Sequence, residues 1–186
     1  MLKIDFAAVL AGTKTLAEET KGLTLADLQA ETKELFDGLQ SQIANATNQA
    51  VVFVPHDAAA TSGDERGWPV THVVTHLTAV VEECCAVAAQ LARSVELDGQ
   101  VRLGHETPWE SLQTVEQVRA RLAESRRIAL AFLDAWPDEP NLQATITRFP
   151  AFGPMNAISL CVLGIGHGLL HQQQIADTLS QYSKQA

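Results

Sequence analysis

Four stretches of this 186-residue chain repeat apolar residues every three or four positions, and none alternates apolar with polar residues between hairpin-type turns. A period near ~3.6 lines up one apolar face along a helix, so the expected fold is all-α, with each long helix burying one stripe. The first helix opens at Thr24, whose hydroxyl caps it while Asp27 completes a box-like start, and Leu28, Leu35, Phe36, Leu39 and Ile43 carry its stripe. The second follows Trp68-Pro69, where the missing proline N–H costs nothing, and runs through Val73, Val80, Val87 and Leu91. The third is capped by Thr114 with Gln117 in the reciprocal position, and Pro137 stops it. The fourth opens at Gly153-Pro154. These signals predict helices near 24–48, 69–96, 114–136 and 154–181 in a four-helix bundle.

The connections are long. Ala50–Gly67 and Asp98–Gln113 each exceed what adjacent antiparallel helices require, so they are expected to cross a bundle end rather than follow a simple up-down order. Residues 1–22 read as an N-terminal extension, with a short helix around Phe6–Leu10 and then a linker, ahead of a bundle spanning 23–186.

Composition removes several classes of function. Hydrophobic residues at 46% and charged residues at 19% fit a packed core rather than wholesale disorder. Thirteen Lys and Arg against twenty-two Asp and Glu give a net charge of -9, which disfavours both nucleic acid and anionic lipid as partners. The longest apolar runs, Val70–Ala92 and Ala157–Leu170, are interrupted by His, Glu82 and Glu83 or fall short of the ~20 residues a bilayer needs, so no membrane span is expected. Three cysteines without C-x-x-C spacing indicate neither a disulfide framework nor a cysteine zinc site, and the expected home is the cytoplasm.

The histidines carry the chemical signal. His167 and His171 are four apart on the fourth helix, which puts both imidazoles on one face, a turn apart, within reach of one cation. His76 shares the second helix with Val73, Val80 and Val87 and is expected to point inward. Three neutral imidazoles from two facing helices would hold a divalent metal, zinc or nickel, with a position left open. A lone H-x-x-x-H also arises by chance, and buried histidines often only hydrogen-bond a carbonyl.

Around this triad, His72 is expected on the rim or behind a ligand, and Gln174 continues the His167 face. Gly164, a turn before His167, is expected to leave room beside the metal, although three glycines at 164, 166 and 168 also suit close helix approach. Glu83 lies two turns beyond His76 and is a candidate general base or distal acid, or else a salt-bridged residue near the bundle end. Glu82 is expected to face solvent. Cys84, Cys85 and Cys161 fall in apolar helices and read as inert packing, and His56 and His105 as exposed loop residues.

At these positions the sequence resembles a known family. Trp68 followed by His76-Leu77, the Phe152-Gly153-Pro154 opening, and His167-x-x-x-His171-x-x-Gln174 are similar to the metal-site segments of the DinB/YfiT-like bundle proteins. Pro69 and Gly168 depart from that pattern, which more often has Ser or Thr and an acidic residue there. The resemblance implies a four-helix bundle, often a homodimer, with a divalent metal on His76, His167 and His171. It also implies transfer of a small-molecule thiol such as bacillithiol, mycothiol or glutathione to an electrophile. Three other functions fit the same residues: a hydrolase using a metal-bound water with Glu83 as base, a non-enzymatic stress-related bundle that dimerises or binds a partner, and a haem bundle with axial histidines.

Overall fold

The structure is a computed structural model, and it describes residues 3–56, 64–97 and 105–185. Seven α-helices occur among them: α1 (Phe6–Leu10), α2 (Leu16–Glu19), α3 (Leu25–Gln42), α4 (Asn48–Val52), α5 (Val70–Ala92), α6 (Val115–Asp134) and α7 (Ala157–Gln185). The only β pairing among the described residues is an isolated bridge between Ile146 and Met155. The chain is therefore all-α, with α3, α5, α6 and α7 as the four bundle helices.

Local chemistry sets the ends. Thr24 and Thr114 each cap a helix in a reciprocal box, with Asp27 and Gln117 as the returning side chains. Pro69 occupies the N-cap of α5, where no N–H is needed. The last helix begins later than its Gly-Pro opening suggests. Gly153 adopts φ +65°, a left-handed turn, and Asn156 then accepts from the Ser159 N–H at 3.0 Å to start α7. α3 also ends earlier than expected, at Gln42, because Thr47 starts a separate short helix, α4, by accepting from Ala50 N–H.

Helix directions explain the long connections. Leu35 meets Gly168 and Gln42 bonds the Gln172 carbonyl, so α3 and α7 run parallel. Cys84 meets Gly164 while His76 meets His171, so α5 and α7 run antiparallel. Gln29 bonds Asp134 and Gln40 bonds the Arg119 carbonyl, which makes α3 and α6 antiparallel. It follows that α5 and α6 are parallel neighbours, and the chain between them must travel the length of the bundle. α3 and α5, consecutive in sequence, lie across a diagonal, as do α6 and α7.

The core is continuous from α1 to α7. Phe36, Leu28, Leu39, Leu77, Leu122, Leu133 and Leu160 are among its fully buried side chains. The N-terminal segment is part of it: Val9, Leu16 and Thr20 are buried, and the expected linker after α1 contains α2, closed by a Thr15–Glu18 capping box. α5 is the one described helix long and apolar enough, by length and composition alone, to cross a membrane. Of its apolar stretch, 78% is buried against the other helices, as the central helix of a bundle should be.

The glycines of α7 are contact points, which corrects the expectation for Gly164. A Cβ there would lie 2.8 Å from the Cys84 Cβ of α5, so the position holds two helices together and leaves no space beside a ligand. Gly168 packs on Leu35 in the same way, and Gly166 on the Phe6 ring. Gly→Ala inside a helix ordinarily stabilises by up to about 1 kcal/mol. Here overpacking against a rigid Cβ costs more, roughly 1–3 kcal/mol. Gly164→Ala is therefore expected to lower the urea midpoint, whereas a raised midpoint would mean that α5 and α7 are not in contact at this position.

Candidate metal centre

His76 sits two turns into α5, and His167 and His171 lie mid-way along antiparallel α7. The close α5–α7 approach at Gly164 and Cys84, eight residues from His76 along α5, brings the two helix faces together. The Nε2 atoms of His76 and His171 each lie 3.1 Å from the Nε2 of His167, and the three ligand nitrogens all fall within 4.8 Å of one another. Two nitrogens bound to one zinc at ~2.0–2.1 Å stand about 3 Å apart or slightly more, so this spacing matches three ligands on one ion.

The outward sides of two rings are engaged. Gln174 donates its amide N–H to the Glu65 carbonyl, which turns its Oε1 toward His171 Nδ1 at 2.7 Å. His171 must therefore carry its proton on Nδ1 and present a lone pair on Nε2. His76 turns Nδ1 to Glu106 Oε2 at 3.2 Å. Lone pairs converging on the His167 nitrogen are poorly satisfied by a single proton and well satisfied by a cation. The donor set thus fits a divalent metal.

Burial favours the neutral form of the two α7 histidines. Burial, reinforced by the neighbouring His171 and His76, pushes His167 from its ordinary 6.5 down to about 4. Burial likewise lowers His171, which is 2% exposed. Neutral imidazoles are the ligating form, so protons compete weakly at these two rings.

The remaining candidates separate by position. His72 lies on the rim, stacked between Trp68 and Trp109 at 3.8 and 5.1 Å, with Glu106 Oε1 3.7 Å from its Nε2. Glu83 is ion-paired with Arg148, part of the α6–α7 connection, and its carboxyl joins a small apolar recess with Val80, Cys84 and Phe149. It stands apart from the histidine cluster, so the expectation of a base at the triad is corrected to a salt-bridged residue. Glu82 is not solvated either, since it pairs with Arg121 and both are 13% exposed. His56 and His105 are exposed, and all three cysteines are free and buried. The rings of His76 and His167 touch directly, so no slot for a porphyrin exists between the facing imidazoles and the haem reading is set aside.

Two acidic residues at the cluster carry no signal in the sequence. Glu106 belongs to the α5–α6 connection, and Glu65, in a short 3-10 turn before α5, has Oε1 4.0 Å from His76 Nε2. Both arrive from loops, where no periodicity ties them to a helix face.

A family model described as the DinB superfamily matches residues 11–175. The chain belongs to the DinB superfamily. The matched span begins inside the N-terminal segment and covers the cluster, α3, α5, α6 and the part of α7 up to residue 175, in keeping with the packing of α2 against the core. No curated protein and no solved structure gives a significant match.

Two outcomes are expected for this DinB-superfamily chain. His167→Ala or His171→Ala abolishes stoichiometric binding of a divalent ion, measured on protein purified without an affinity tag, while His56→Ala and His105→Ala leave it unchanged. The second concerns pH. The folded state holds His167 neutral, whereas the unfolded chain takes up its proton below about 6.5. The contribution of this residue to stability is complete above pH 6.5 and is lost progressively toward pH 4. In EDTA, the urea midpoint should fall across that window, and His167→Ala should flatten the fall. An equal fall in the variant would contradict the assignment.

Proposed function

We propose that this protein is a divalent-metal-dependent enzyme that transfers a low-molecular-weight thiol to an electrophile. The observation that carries the reading is the convergence of three Nε2 atoms with two of the rings tethered on their outward sides, which is a ligand set with a position to spare. A divalent ion bound there supplies Lewis-acid chemistry, lowering the pKa of a thiol or a water at the open position. Zinc and nickel suit imidazole ligands.

The chain's own residues supply the rest. Beside His171 the described residues bound a cleft of about 620 Å³, lined by Pro55, Glu65, Arg66, Leu170, Gln174 and Asp177 among others. That is ample for a small thiol and its acceptor. In the transfer, a sulfur–carbon bond forms as the acceptor's leaving group departs or its double bond takes up a proton. The choice of thiol over water rests on the resemblance to the DinB/YfiT-like proteins. The net charge of -9 disfavours long-range attraction of an anionic thiol, so capture depends on the cation at short range. A reducing cytoplasm suits three free cysteines, and a homodimer follows the same resemblance.

Hydrolysis is the second reading, and one observation favours it. Glu65, rather than Glu83, brings a carboxylate to 4.0 Å from His76 Nε2, where it could accept a proton from water. One experiment separates the two: metal-loaded protein is incubated with bacillithiol, mycothiol or glutathione and a panel of electrophiles, with products read by mass. Conjugates above the uncatalysed rate that vanish in His171→Ala support transfer. Thiol-independent cleavage of an ester or amide panel that is lost in Glu65→Gln supports hydrolysis and overturns transfer.

A further inference from the structure

The carboxylate of Glu106 reaches the cluster from an unusual direction. Parallel α5 and α6 force the intervening chain back along the bundle, and the described part of that return, from His105 to Thr114, passes over the first turns of α5. There Glu106 spans two histidines with its two oxygens: Oε2 lies 3.2 Å from His76 Nδ1 and Oε1 3.7 Å from His72 Nε2. Trp109, three residues on, stacks on the outer face of His72, whose other face rests on Trp68. The segment is thus docked at two points, one electrostatic and one aromatic, and both are on the helix that carries His76.

We propose that Glu106 is a positioning residue for His76 and that it couples docking of the 105–112 segment to metal occupancy. This role rests on the metal reading above. A carboxylate only accepts, so His76 must hold its proton on Nδ1, and Nε2 is left as a lone pair turned toward His167 and His171. Gln174 does the same for His171 with a neutral oxygen, so Glu106 is the charged member of the pair. A cation drawing density through Nε2 makes the Nδ1–H a better donor, and its bond to the carboxylate strengthens. By linkage, whatever tightens that bond on binding also holds the segment more firmly.

The test uses the full chain with Zn2+ as probe and chelator competition as readout. Glu106→Ala is expected to weaken zinc binding about 10- to 100-fold. Glu106→Gln, which keeps an accepting oxygen without the charge, should fall between Glu106→Ala and the parent. The urea midpoint of the metal-free protein should not move, because Glu106 is 42% exposed and lies outside the core. Amide exchange across 105–112 should slow when the parent takes up zinc and should not slow in Glu106→Ala. Unaltered affinity in Glu106→Ala overturns the proposal while leaving the metal site standing. A parent that binds no zinc overturns both. A loss of affinity accompanied by a lower metal-free midpoint makes Glu106 a structural residue and also overturns it.

Discussion

The close approach of α5 and α7 governs the rest of this molecule. Where Gly164 faces Cys84 the two backbones come nearer than any side chain on α7 would permit, and the His76 and His167 faces meet one level further along. A glycine in a helix costs about 1 kcal/mol relative to alanine, and α7 carries three within five residues. Each is offset by a contact that a Cβ would block: Cys84 on Gly164, Phe6 on Gly166 and Leu35 on Gly168. Helix stability has been traded for the interhelical distance at which three imidazoles share one point.

Topology adds the second constraint. Parallel neighbours cannot be joined by a tight turn, so the α5–α6 connection returns along the bundle and delivers Glu106 and Trp109 to the start of α5. The α3–α5 connection, crossing a diagonal, delivers Glu65 to the same place. Two long loops that look like excess chain therefore supply the acidic surroundings of a partly buried histidine cluster. Carboxylates at the rim favour a cation at the centre, and desolvation keeps His167 and His171 from taking protons instead.

Much of this is written in local sequence. Thr24 with Asp27 and Thr114 with Gln117 mark their helix starts because capping is settled within four residues. His167 and His171 share a face by helix geometry alone, and Gln174 follows one turn later. What the sequence conceals is long-range. Glu82 reads as solvated and Glu83 as a candidate base, yet both are ion-paired, and their partners Arg121 and Arg148 come from α6 and from the connection beyond it. Glu106 and Glu65 lie in loops without periodicity, so nothing in the neighbouring residues announces their distance to His76. Gly164 shows only that something unusual happens there. Whether the space is filled by a ligand or by another helix depends on Cys84, 80 residues away in sequence, and the structure places that helix against it.

The central claim is that His76, His167 and His171 are ligands to one ion. X-ray absorption of the zinc-loaded full chain tests it most directly. The account predicts three imidazole nitrogens at about 2.0–2.1 Å, with the outer-ring scattering typical of histidine, plus one further light-atom ligand. With no thiol added, a sulfur neighbour near ~2.3 Å, or a shell with fewer than three imidazoles, would contradict it.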